Sequence, residues 1–157
     1  MGADVSRILD GPDHYLYQGP WPREGEWRLL RSRADELRRL LVVVNMHWEQ
    51  EVVPAGLLRP GDQLLWMNAI DGDFEALSLE WLRLVSMQVR AAVEAGCVTY
   101  VHCNAGISRS TLAVVGALMI VRDMTAAEAL TFVRARRAIA NPNPRFQALL
   151  GSIDARR

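Results

Sequence analysis

Three short runs of aliphatic, mostly β-branched residues, at 41–44, 64–70 and 98–101, are interleaved with stretches whose apolar residues recur at helical spacing. That alternation constrains the fold more than any other feature. Runs that stay apolar without a polar alternate are buried on both faces, as parallel strands packed between helices are. Helix signals fall where such an arrangement needs them. Ser32 with Asp35 resembles a capping box for a helix through Leu40, and Ser78 caps a helix carrying Leu79, Leu82, Val85, Val89 and Val93, with Gly96 placed to end it. An apolar helix is expected from about Ser110 to Arg122. Thr125 with Glu128 opens another to about Ala138, and Asn143-Pro144 starts a last short one. Residues 11–25, rich in Gly, Pro and Trp, read as an irregular entry holding a short strand around residues 14–18. The expectation is an α/β domain with a central, mostly parallel sheet flanked by helices on both faces.

At 157 residues the chain suits one domain spanning 1–157, and it contains no repeat or linker-like tract. All 18 basic residues are arginine and are matched by 18 acids. Net neutrality argues against a general nucleic-acid or membrane-surface partner, which calls for an excess of positive charge. The balance conceals an asymmetry: 10 Arg against 15 acids through residue 95, then 8 Arg against 3 acids from Gly96 onward. An anion site belongs in the C-terminal third. The longest apolar run, residues 112–121, is half a bilayer span, and the first ten residues lack the apolar segment of a signal peptide. A cytoplasmic protein is expected, with a monomer assumed. The two cysteines, Cys97 and Cys103, cannot form a disulfide framework; an extended chain between them separates the sulfurs by about 20 Å.

The chemistry concentrates in His102-Cys103-Asn104-Ala105-Gly106-Ile107-Ser108-Arg109-Ser110, between an expected strand and an expected helix. A loop that wraps into a helix N-terminus turns backbone N–H groups into one hollow, where the helix dipole adds partial positive charge. Such a hollow binds a tetrahedral anion. Cys103 at its base is held as thiolate by the same field and becomes a nucleophile. Asn104, Ala105, Gly106, Ile107 and Ser108 supply the amides, and Gly106 allows the tight turn. Arg109 offers a bidentate fork to two phosphoryl oxygens. Ser110 can donate its hydroxyl proton toward the sulfur, and His102 is expected to point away from substrate and support the loop backbone.

A His-Cys-x-x-Gly-x-x-Arg-Ser pattern arises by chance at a given position on the order of once in a million or less. Here the chain resembles the dual-specificity branch of the cysteine-dependent protein tyrosine phosphatase superfamily. The likeness includes Val42-Val43-Val44-Asn45, an acid-bearing loop before the central helix, residues 102–110, and Val133-Arg134-Ala135-Arg136-Arg137 followed by Asn141-Pro142-Asn143 and Phe146. It implies a phosphatase-like fold and hydrolysis of phosphomonoesters through a cysteinyl-phosphate, with no metal and no cofactor. It also implies a general acid, an aspartate roughly thirty residues before the cysteine. Asp71 is favoured because it follows the strand end at Ile70 and precedes Gly72; Asp73 is the alternative. The loop lacks the lysines that family members selective for acidic inositol lipids place there. A phosphorylated protein or peptide is therefore the expected substrate, phosphotyrosine first, with phosphoserine and phosphothreonine admitted. Phosphoinositide and RNA 5′-phosphate remain alternatives, as do a non-catalytic phosphate-binding module and, from other classes, a sulfur transferase or arsenate reductase.

Other singled-out residues have plainer readings. Cys97 is expected to be a packed thiol, His47 a hydrogen-bonded loop histidine, and the five tryptophans core or rim packing, with Trp21 or Trp48 the candidates for a pocket mouth. One member of the Arg134, Arg136, Arg137 cluster is a candidate to buttress the phosphate loop from behind.

Overall fold

A computed structural model of the chain describes residues 4–67 and 78–154. Its elements run β1 (Ser6–Asp10), β2 (Tyr15–Gly19), α1 (Glu24–Leu37), β3 (Leu41–Asn45), β4 (Gln63–Trp66), α2 (Leu79–Glu94), β5 (Val98–His102), α3 (Arg109–Val121), α4 (Ala126–Arg134) and α5 (Pro144–Asp154). The five strands form one sheet in the order β1-β2-β5-β3-β4. Among the described residues only the β1–β2 pair is antiparallel; the other three pairings are parallel. Strand β5 is central, and all five of its residues are buried, as its unbroken apolar character requires.

Successive side chains point to opposite faces of the sheet, and two cores result. On one face Tyr17, Val43 and Tyr100 pack with Trp27, Leu30 and Ala34 of α1. On the other, Leu16, Val42, Val44 and Val101 meet Leu82, Val85 and Val89 of α2 and Leu112 and Val115 of α3. Each fully buried Val or Leu contributes about 1.5–3 kcal/mol. Helix α3 is buried from Arg109 through Met119. Gly116 makes its close packing against α2 feasible, since a Cβ there would stand 2.1 Å from Ser86 Oγ.

The expected caps on the later helices are present. Ser78 Oγ accepts from the Trp81 amide, Thr125 and Glu128 form a reciprocal capping box, and Asn143 Oδ1 accepts from the Phe146 amide. The first helix differs. It starts at Glu24, eight residues before the expected Ser32, because Trp27, Leu30, Arg31 and Ala34 already form the buried stripe; Gly25 in its first turn masks this in the sequence. Among the described residues Asp35 caps no helix and instead pairs with Arg31 and Arg59. Strand β1 has no counterpart among the sequence expectations, and it adds an antiparallel edge to the sheet. Helix α4 ends at Arg134 rather than near Ala138. The expected strand at 64–70 starts at Gln63; its last three positions lie outside the described residues.

The register decides where a site can form. Gly19, His102, Asn45 and Trp66 lie abreast at the C-terminal ends of β2, β5, β3 and β4. The loop from β5 into α3 rises from the middle of that edge, where ligand sites of parallel sheets form.

Candidate active site

Cys103 stands one residue beyond β5 and is 2% exposed. Its Sγ lies 3.5 Å from Ser110 Oγ, the thiol donating to the hydroxyl. Ser110 Oγ also accepts from Gln18 Nε2 at 3.0 Å, and Gln18 Nε2 reaches Thr111 Oγ1 at 2.8 Å. With Gln18 filling one of its lone pairs, the Ser110 hydroxyl is free to turn its proton toward the sulfur when the thiol ionises. Thr111 passes its own proton to the Ile107 carbonyl at 2.7 Å.

Four consecutive loop carbonyls are held from outside. Asn104 O accepts from the Trp21 amide (2.9 Å), Ala105 O from Arg137 Nη2 (3.2 Å), Gly106 O from Arg137 Nε (2.7 Å), and Ile107 O from the Asn141 amide (2.8 Å). In a trans peptide C=O and N–H point opposite ways. Drawing these carbonyls outward therefore turns the amides of Ala105, Gly106, Ile107 and Ser108 toward the inner side of the loop, above Cys103. Gly106 has φ +69°, and a Cβ there would sit 2.6 Å from the Gly19 backbone, so only glycine fits. Ser108 Oγ accepts from the Asn143 amide at 3.0 Å, tying the loop to the start of α5.

Arg137 is the buttress among the three clustered arginines. It is 3% exposed, and Asp4 and Ser6 receive its remaining donors at 3.1 Å. Arg134 instead bonds Ala140 O and Asn141 Oδ1, and Arg136 lies over the Phe132 ring. Arg109 is the first residue of α3 and is buried.

His102, fully buried, holds Cys103 from beneath. Its Nδ1 lies 3.3 Å from the Cys103 carbonyl, to which it can only donate, and its Nε2 lies 2.9 Å from Glu51 Oε1. Asn45 Nδ2 donates to the other Glu51 oxygen and to Glu49 O. Neither Glu51 nor Gln18 stands out in the sequence. Their partners are 51 and 92 positions away, beyond any local pattern.

His47 lies beside this network. Its Nδ1 accepts from the Glu49 amide at 3.0 Å, and its carbonyl accepts from Trp66 Nε1. Burial lowers the affinity of its imidazole for a proton, and the charge of Arg109 acts the same way, against Glu49 and Glu51. His47 is thus a neutral imidazole near pH 7. The Trp21 ring meets His47 and His102 edge-on, and Trp48 stacks on His47. On the outer side of the loop, Trp21 also borders a cavity of about 650 Å³ that reaches Asn104, Ala105 and Ile107. The two candidate acids, Asp71 and Asp73, lie outside the described residues.

Comparison with known proteins identifies this arrangement. The family model for the dual specificity phosphatase catalytic domain matches residues 37–155, which include β3, β5, the loop and α3 to α5. The chain belongs to this family. Mouse dual specificity protein phosphatase 22 is 50% identical over 150 residues, covering 96% of this chain and 73% of the relative. Zebrafish dual specificity protein phosphatase 22-A is 37% identical over 150 residues, 96% of this chain and 65% of its own length. Most of the curated relatives are longer proteins of which the chain spans less than two thirds. Among solved structures, human DUSP28 superposes with a TM-score of 0.73 at 25% identity, covering 99% of this chain and 96% of that one. The α/β architecture with its mixed sheet is the fold of this family.

Proposed function

We propose that the chain is a cysteine-dependent phosphatase that hydrolyses phosphomonoesters, phosphotyrosine in proteins first, and admits phosphoserine and phosphothreonine. The observation that carries this reading is the loop over Cys103. Four carbonyls are drawn outward and four amides turned inward, around a sulfur within reach of Ser110.

In the first step the Cys103 thiolate attacks phosphorus and forms an S–P bond while the ester P–O bond breaks. The departing oxygen takes a proton from Asp71. The inward amides and the guanidinium of Arg109 stabilise the equatorial oxygens as charge spreads onto them. In the second step a water molecule gives its proton to the Asp71 carboxylate and attacks phosphorus. The S–P bond breaks, releasing inorganic phosphate and the thiolate, which accepts a hydrogen bond donated by the Ser110 hydroxyl. No metal takes part. A reducing cytoplasm suits a nucleophile that must stay a thiol, and both cysteines are free.

Para-nitrophenyl phosphate and a phosphotyrosine peptide test the reading directly. Turnover should survive EDTA and vanish in Cys103→Ser; retention in that variant overturns it. Asp71→Asn should slow alkyl phosphates far more than activated aryl phosphates, while Asp73→Asn should not. A phosphoinositide panel run alongside identifies a lipid substrate if that is the preferred one.

A further inference from the structure

The cavity on the outer side of the phosphate loop is lined by an acid that no described residue pairs. Glu26 is only 9% exposed and opens into this space. Among the described residues it has no hydrogen bond and no ion pair. Its place in the first turn of α1 suits the helix dipole, but Glu24 fills that role from an exposed position, paired with Arg28. The Glu26 carboxylate oxygens are not among the fully buried side-chain atoms that lack a partner, so they meet the solvent of the cavity and are open to a ligand that brings a charged donor.

We propose that this cavity is a subsite for a basic side chain, lysine or arginine, flanking the phosphorylated residue of a peptide substrate, with Glu26 as its anionic partner. The inference rests on the phosphatase reading and names the substrate class of that same site. Its walls suit such a side chain. Trp21 offers a ring for cation contact, and the exposed Ile107 and Ile139 offer apolar surface for the methylene stem. The volume, about 650 Å³, lies within the roughly 300–1,000 Å³ of small-ligand pockets. Proximity is built in, because Ala105 and Ile107 line the cavity and also belong to the loop that would cradle the phosphate. One extended residue spans about 3.3 Å, so the occupant comes from a position close to the phosphorylated residue in sequence.

Two other charges face the cavity. Asp4 is already bound by Arg137, so Glu26 is the acid left for a ligand. Arg23 is exposed at the rim and makes no ion pair with Glu26 among the described residues; it opposes a cationic ligand and competes with it for the carboxylate. The two residues therefore act in opposite directions, and their variants provide independent tests.

The experiment uses the Cys103→Ser protein and calorimetric titration with phosphotyrosine peptides that place arginine, norleucine or glutamate at each position from two before to two after the phosphotyrosine. The expected result is about tenfold tighter binding of the arginine peptide over norleucine at one position, weakened by high salt. Added Glu26→Gln should shrink that ratio to twofold or less, and added Arg23→Ala should widen it. Equal affinities for arginine and norleucine at every position overturn the proposal. So does a ratio that persists undiminished in Glu26→Gln, or one that narrows in Arg23→Ala. Wild-type turnover of para-nitrophenyl phosphate is read in parallel. If it is absent while the arginine preference stands, the phosphatase reading fails and the subsite survives. Turnover without the preference removes the subsite and leaves the phosphatase standing.

Discussion

The two cysteines bracket β5, Cys97 one residue before it and Cys103 one residue after, and they differ in almost everything except burial. Cys103 is the less exposed of the two, at 2% against 9%. Access therefore does not separate the proposed nucleophile from the packed thiol; the polarity of its surroundings does. Cys103 lies below the N-terminus of α3, among inward-turned amides and the Ser110–Gln18–Thr111 chain. Cys97 follows the C-terminal end of α2 and borders an apolar cavity of about 280 Å³ with Val42, Leu65 and Ala92. Burial pushes its thiol up, and Asp62 adds to this against Arg39. A strand in a parallel sheet has unequal ends. Its C-terminal end meets helix N-termini, which favour anions, and its N-terminal end meets helix C-termini, which do not.

The largest effect that tests this inequality comes from exchanging sulfur for oxygen at each end. Cys103→Ser should lower kcat on para-nitrophenyl phosphate by at least about a thousandfold, the order seen when a nucleophile is removed. Cys97→Ser should stay within about twofold of wild type, and a comparable loss there would dissolve the distinction. Arg109→Lys comes next. It keeps the charge and loses the fork, so kcat should fall on the order of a hundredfold with the fold intact by circular dichroism.

The polar end should also be the end that is costly to disturb. Glu51→Ala strands His102 in a site where both side chains are fully buried, and losing one partner of such a pair costs about 3–5 kcal/mol. Urea unfolding measures it. Glu51→Gln, which keeps a hydrogen-bonding group opposite His102 Nε2, should recover part of the loss. Equal destabilisation by both variants would show that packing rather than the buried pair holds Cys103 from below.

Legibility in the sequence follows the same division. The loop at 102–110 is contiguous, and its neighbours announce themselves: residues 98–101 as an unbroken apolar run, Thr125 and Glu128 as a capping box that forms as expected. What stays hidden depends on distance along the chain. Gln18 reaches Ser110 across 92 residues and Glu51 reaches His102 across 51, and a lone polar residue in a strand or loop carries no sign of such a partner. Arg137 is visible in the sequence only as one of three clustered arginines, and the tertiary fold singles it out through the carbonyls of Ala105 and Gly106. The missed β1 has five residues, only two of them apolar and fully buried, and it is specified by pairing with β2 more than by its own pattern. The misplaced start of α1 has a similar cause. A Ser-x-x-Asp signature is a local rule, and burial of Trp27 against the sheet overrides it.

The smallest effect concerns the apolar end and appears only in alkali. The folded state holds the Cys97 thiol above its ordinary pKa, so folded chains keep this proton at pH values where unfolded chains have lost it. Stability is then complete below the unfolded thiol's pKa and falls as pH rises through the folded value. Tyr17, raised to about 12 by burial and its bond to Asp10, and Tyr100, raised further by burial, give falls of the same sign at still higher pH. The wild-type curve alone therefore does not isolate the cysteine, but its difference from Cys97→Val does. Above the pKa of an unfolded thiol, about 8.5, the variant should lose unfolding free energy less steeply, and the two slopes should agree at pH 7. In a Cys103→Ser background, alkylation of Cys97 should still be climbing above pH 9, where an ordinary thiol of pKa about 8.5 levels off. A plateau below pH 8 would show that the Cys97 thiol is not held up and remove this prediction.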